Sequence, residues 1–248
     1  MDYNLKHNIK KLISNSFGRI LNSNGNRILM YHSLGTKVPN DIYEIYSIDI
    51  ALFKSQMDYL CKNFLNNLTS INNFCTVEKS ISITFDDGFA DVLYKAAPIL
   101  NDLKIPFTVF VPPKLILEKN NDYLSISELK ELEKLDICTI GAHGYSHQPL
   151  TKVSLDKIRK EISHSKSWLE DILGKEISLM SYPHGAVNDI VKSEVKNCGF
   201  TCASSSKPGV NLKKFDILEL RRTSILSHDN LSQFISKING QWDWTKWL

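Results

Sequence analysis

The sequence predicts a parallel α/β barrel built as one domain. Short apolar runs alternate with amphipathic helical segments along most of the 248 residues, and about seven such β-then-α units can be counted. No Gly/Ser/Pro-rich linker and no internal repeat divides the chain. Repeated β-then-α order implies parallel strands joined by right-handed crossovers. Strands buried on both faces read as near-continuous apolar runs, as these do.

The elements follow in order. Residues 1–26 form an N-terminal segment with Leu5, Ile9, Leu12, Ile13, Phe17, Ile20 and Leu21 at helical spacing and Lys6, Lys10, Lys11 and Arg19 between them. This pattern fits an amphipathic helix packed on the domain, or one in peripheral contact with the inner face of a membrane. The barrel is expected over 27–240. Its candidate strands are 27–34, 80–85, 106–111, 138–142, 177–182, 201–205 and 218–226. The segment around Leu52, Phe53, Met57, Leu60 and Phe64 reads as a helix. Another starts at a capping box, Ser125 with Glu128, and carries Ile126, Leu129, Leu132 and Leu135. A third carries Leu155, Ile158, Ile162, Leu169 and Ile172 and stops at Gly174. Residues 35–48 read as a long βα loop. The tail, 241–248, holds Trp242, Trp244 and Trp247. These indoles fit a tail pinned to the barrel better than a glycan platform, because large aromatics usually bury.

Composition excludes several classes. A chain with 42% hydrophobic and 23% charged residues has material for a core and is not disordered. The net charge is +3 and no dense basic block occurs, so no nucleic-acid partner is expected. The five cysteines are odd in number and form no CxxC pair. No continuous apolar h-region opens the sequence, and no run approaches the roughly 20 residues that span a bilayer. A cytoplasmic protein with reduced thiols is expected.

Functional groups of a parallel barrel gather at the C-terminal ends of its strands. Four polar clusters fall there: His32 near the end of the first strand, Asp86-Asp87 in SITFDDGFAD, His143 and His147 in AHGYSH, and His184 in YPHG. The Asp pair alone also fits a solvated turn, and two His in one loop also fit polar surface. At i and i+4 on a helical turn, however, two imidazoles can share one metal ion. A carboxylate as third ligand leaves positions open for water and substrate, the arrangement of a catalytic site.

These phrases carry a resemblance. ITFDDG (83–88), GAHGYSH (141–147) and SYPHG (181–185), with LMYHSLG, IPFTVFV, EISHSKSWLEDILG and LELRRTSI around them, resemble the polysaccharide deacetylase family, also called carbohydrate esterase family 4. The likeness runs from about Arg27 to Gly240. It implies a distorted (β/α)7 barrel, TIM-barrel-like, and hydrolytic removal of an N-acetyl (or formyl or O-acetyl) group from an amino sugar. It also implies one divalent metal, with zinc expected first and cobalt or nickel as alternatives. Carried over by position, Asp86 is the general base, and Asp87, His143 and His147 are the metal ligands. The backbone amide of His184 is an oxyanion donor. Many members open the third motif with an Arg that pairs with the base. Here that position is Ser181, and Arg222, or its neighbour Arg221, is the expected substitute from the last long strand. Leu226-Ser227-His228 matches a Leu-x-His motif whose His protonates the leaving amine, and His32 and His184 are other candidates for that role. His164 reads as surface. The expected partner is an acetylated amino sugar or glycan precursor on the cytosolic side. The competing reading is a non-catalytic carbohydrate-binding member of the same fold.

Overall fold

A computed structural model describes residues 10, 11, 13, 14, 25–73, 77–212 and 214–247. The N-terminal amphipathic pattern lies largely outside the described residues, and so does Cys75. Seven parallel strands form one sheet: β1 (Arg27–Tyr31), β2 (Ile81–Phe85), β3 (Phe107–Val111), β4 (Cys138–Ala142), β5 (Leu179–Ser181), β6 (Cys202–Ser204) and β7 (Thr223–Ser224), in the order β6-β5-β4-β3-β2-β1-β7.

Side-chain alternation divides the sheet into two faces. Ile81, Ile83 and Phe85 of β2 and Phe107, Val109 and Val111 of β3 join the large apolar cluster beneath the helices. The opposite residues face the lumen. There Ile28, Phe110, Leu179, Cys202 and Leu220 form a smaller cluster, and Ser82, Thr84, Thr108, Ser181 and Ser204 are buried hydroxyl residues.

Each predicted strand is present; the fourth has its predicted bounds, Cys138–Ala142, and the others are shorter than their apolar runs. The last one, expected over 218–226, is split. Leu220 bridges Ser204 of β6, whereas Thr223 and Ser224 pair with Leu29 and Met30 of β1. One segment therefore touches both β6 and β1, and the stretch between its halves holds Arg221 and Arg222.

The predicted helices appear as α1 (Ile50–Phe64), α2 (Ile126–Glu133) and α3 (Leu155–Leu173). The capping box at Ser125 and Glu128 is formed. Helix α3 ends at Gly174 in the left-handed conformation, φ +67°. The C-terminal tail is pinned: Arg27 of β1 pairs with the buried carboxylate of Asp243 at 2.9 and 3.0 Å. Trp242 is buried and its indole N–H donates to Ser236 Oγ at 2.8 Å. No helix among the described residues is long and apolar enough to cross a membrane.

Candidate active site

Strand ends deliver the polar groups to one cavity of about 450 Å³. His32 follows β1, Asp86 and Asp87 follow β2, His143 follows β4 and His184 follows β5; these five, with His147 and Arg222, line it. The loop after β1 supplies a wall through Val38, Pro39, Asn40, Asp41 and Tyr46.

Three donor atoms converge. Asp87 Oδ1 lies 3.0 Å from His147 Nε2 and 3.4 Å from His143 Nε2. The three ligand atoms all fall within 4.8 Å of one another, and among the described residues this is the group able to hold a metal ion. Although close to both rings, Asp87 Oδ1 is a buried oxygen without a well-directed hydrogen bond. Atoms that approach one another without pairing point to a common centre. His143 Nδ1 lies 2.8 Å from the carbonyl oxygen of Ser181, which can only accept. That contact puts the proton on Nδ1 and leaves the Nε2 lone pair facing Asp87, the tautomer a metal ligand needs. The donor set thus fits a divalent ion. Burial raises the pKa of Asp87, but His143 and His147 outweigh it and hold the carboxyl well below its ordinary value. Burial pushes His147 down, and Asp87 more than reverses that.

Asp86 sits on the other side, its Oδ2 3.9 Å from His143 Nε2. Both of its oxygens accept from Arg222, Nη1 to Oδ1 at 2.7 Å and Nη2 to Oδ2 at 2.7 Å. Burial raises its pKa, but Arg222 first and His143 next lower it further, for a net decrease. Arg221 points elsewhere, donating to the carbonyl of Pro208.

Three of the site residues carry strained backbone. Asp87, His147 and His184 all have positive φ, at 73°, 58° and 55°. Non-glycine residues rarely sit there, and such outliers cluster at functional sites. The YPHG turn is completed by Gly185, where an added Cβ would lie 1.9 Å from Ser206 Oγ. The segment between His143 and His147 is not the helical turn expected from its spacing. It is a bend, with Gly144 also at positive φ. The two rings still meet, centroids 5.0 Å apart.

His228 is not among the residues lining the cavity. It occupies the turn before the buried Asp229–Lys237 pair, half-buried, and burial lowers its pKa. His32 does line the cavity, its ring 4.5 Å from that of Tyr46, and its buried Nδ1 has no hydrogen-bond partner. Burial lowers its pKa despite the nearby Asp87 and Asp86 carboxylates. His184 is exposed, its Nε2 3.2 Å from the carbonyl of His147. His164 is exposed on α3.

Two buried carboxylates behind the cavity were not singled out from sequence. Asp91, in the same decapeptide as Asp86 and Asp87, accepts from Leu34 N and Thr36 N at 2.8 and 3.0 Å. Glu161 of α3 accepts from the loop between the two imidazoles. The available signal was a Glu on the face that carries Ile158, since Glu is almost never buried unless paired.

The profile of the polysaccharide deacetylase family matches residues 74–203. A poly-beta-1,6-N-acetyl-D-glucosamine N-deacetylase of Staphylococcus aureus is 26% identical over 214 residues, covering 79% of this chain and 72% of the relative. A crystal structure of a polysaccharide deacetylase from Bacillus cereus superposes with a TM-score of 0.75 at 28% identity, over 86% of this chain and 69% of that one. The Streptococcus pyogenes deacetylase PplD, solved with acetate, shares the fold at a TM-score of 0.74 and 22% identity, over 86% of this chain and 98% of that one. With the profile spanning more than half its length, this chain belongs to the polysaccharide deacetylase family.

Proposed function

We propose that the protein is a metal-dependent hydrolase that removes the N-acetyl group from an amino sugar of a glycan or glycan precursor. The observation that carries this reading is the convergence of Asp87, His143 and His147 beside the Asp86–Arg222 pair in one cavity. Two imidazoles and one carboxylate suit zinc. When bound, the ion would polarise the acetyl carbonyl and lower the pKa of the attacking water.

The chain's own residues supply the rest. Asp86 accepts the proton of the attacking water. Each of its oxygens keeps a second lone pair beyond the Arg222 contact, so the pair does not block that role. Arg222 holds the carboxylate in one orientation. The amide of His184, carried on the left-handed turn after β5, donates to the developing oxyanion. A proton must also reach the leaving nitrogen. His32 is the imidazole in the wall with an unpaired buried nitrogen, which favours it over His228 for this step: burial favours its neutral ring, so it can take up the proton that Asp86 removed from the water and pass it to the nitrogen.

Metal content and acetate release together test the reading. The wild type should hold about one zinc per chain, and the triple variant Asp87→Ala, His143→Ala, His147→Ala should hold none. Acetate should be released from N-acetylated amino-sugar oligomers. A wild type that takes up metal and binds sugar but releases no acetate from any of them would mark it as a binding protein instead.

A further inference from the structure

The bend between His143 and His147 has no helical hydrogen bonds to set its curvature. What its amides meet instead is a side chain. Tyr145 N and Ser146 N both donate to Glu161 Oε2, at 3.0 and 2.8 Å. Ser146 Oγ donates to Glu161 Oε1 at 2.7 Å. Two successive amides converging on one anion form a small concave nest, a stable arrangement of backbone donors around negative charge. Glu161 is only 1% exposed and reaches the loop from the second turn of α3. Lys157, one turn earlier, lies 3.1 Å from Oε1 with its own side chain half exposed. The buried charge is therefore compensated, as burial requires.

The loop is also constrained from outside. Lys114 N donates to the carbonyl of Tyr145 at 3.0 Å. At Gly144, with φ +65°, an added Cβ would lie 3.0 Å from Pro183 of the YPHG turn. The loop's amides thus face one carboxylate, and Gly144 packs against the third motif. Apart from the ion pair with Lys157, every hydrogen bond found for the Glu161 carboxylate goes to the span between the two imidazoles.

We propose that Glu161 is a positioning residue for the metal site: its carboxylate replaces the missing helical bonds and so sets the spacing of His143 and His147. The inference rests on the metal reading above. It differs from a general packing role in what it moves. Groups that orient metal ligands from behind change metal affinity by about 10- to 100-fold when altered, and they leave sugar contacts alone.

The test uses the full chain and zinc, with affinity measured by competition against a chromophoric chelator. Cobalt substitution adds a visible spectrum that reports ligand geometry. Glu161→Gln keeps the volume and loses the charge. It should bind zinc about tenfold more weakly, alter the cobalt spectrum, and leave KM unchanged at saturating zinc. Ile162→Val, the adjacent core position of α3, is the packing control: it should lower Tm without changing zinc affinity. If Glu161→Gln does not fold, Ser146→Ala decides the matter. It removes one of the three contacts and should weaken zinc by roughly threefold, a fraction of the full effect. A folded Glu161→Gln, or in its absence Ser146→Ala, with wild-type zinc affinity and cobalt spectrum overturns the role of Glu161 alone. A wild type that takes up neither metal overturns the metal reading and this inference with it.

Discussion

Arg222 and Asp86, 136 positions apart in sequence, form a bidentate ion pair in which every donor of the guanidinium is used. Nη1 reaches Asp86 and Thr84 Oγ1, Nη2 reaches Asp86 and Ser181 Oγ, and Nε reaches the carbonyl of Ser205. The face of Phe110 lies 5.7 Å from its central carbon. A guanidinium offers five N–H bonds, and all five have acceptors here. Ser181 occupies the place where many family members carry an Arg, and it supplies the hydroxyl that completes the set.

Removing that pair should move the acid limb of the rate profile. In Arg222→Met the burial of Asp86 remains while its main counter-charge is gone, so its pKa should rise. In the wild type the lowered pKa stabilises the fold above the ordinary carboxylate value of 3.8, and this is lost as pH falls through the lower folded value. In the variant the sign reverses. An unpaired buried charge costs about 3–5 kcal/mol, so Tm at pH 7 should fall and recover partly toward pH 5. A kcat/KM profile and melting curves at the two pH values check this. An unshifted acid limb in a folded variant would remove Asp86 as the group that titrates.

Asp86→Asn should separate chemistry from metal binding. Asp87, His143 and His147 are untouched, so zinc content should stay at the wild-type level. Acetate release should drop by about 10²- to 10⁴-fold, the usual contribution of a general base. Loss of metal along with activity would instead place Asp86 among the ligands.

Two histidines should respond differently. His32 lines the cavity with an unpaired nitrogen, and His228 sits outside it on the turn before Asp229. His32→Gln should reduce kcat by roughly 10²-fold, whereas His228→Gln should leave it nearly unchanged. Steady-state acetate release from both variants, at equal zinc content, gives the answer. The reverse order would restore the Leu-x-His reading of residues 226–228.

Asp91 should act on substrate binding through the loop it holds. Its carboxylate accepts the amides of Leu34 and Thr36, and Lys95 donates to the carbonyl of Leu34 at 2.7 Å. The same loop goes on to place Val38, Pro39 and Asn40 in the cavity wall. Asp91→Ala would leave the Leu34 and Thr36 amides without their acceptor, at about 1–3 kcal/mol for each that stays buried. KM should rise several-fold and Tm should fall, with zinc content unchanged. An unaltered KM in the folded variant would assign Asp91 to stability alone.

Metal removal should be visible without any substrate. Zinc in 1,000-fold excess over its Kd adds about 4 kcal/mol to stability by mass action. Chelator treatment should therefore lower Tm by several degrees in the wild type and leave the triple ligand variant where it was.

Some of this was legible in the residues themselves. The alternation of apolar runs and helical segments predicted seven parallel strands, and strand ends marked where Asp86, Asp87, His143 and His184 would gather. Those signals are local: a strand's apolar run, a cap, or a pair of imidazoles four positions apart is encoded within a few positions. Even there, HGYSH misled as to conformation. Its spacing fits a helical turn, but the loop's amides turn instead to the carboxylate of Glu161, brought in from α3.

What the sequence determined by itself was the family, the order of elements and the residue types at each strand end. The tertiary structure decided which distant groups meet them. Arg221 and Arg222 are adjacent, and on extended chain neighbours point to opposite faces. Which one enters the lumen depends on how the segment after β6 registers against β6 and β1. Leu226-Ser227-His228 carries the right spelling, yet its turn closes over Asp229 rather than over the cavity. Asp91 and Glu161 are ordinary acidic residues until the fold buries each beneath a loop whose amides lack other acceptors. Pairings across tens of residues leave no periodic trace in the chain, because they are set by the closure of the sheet and not by any local propensity.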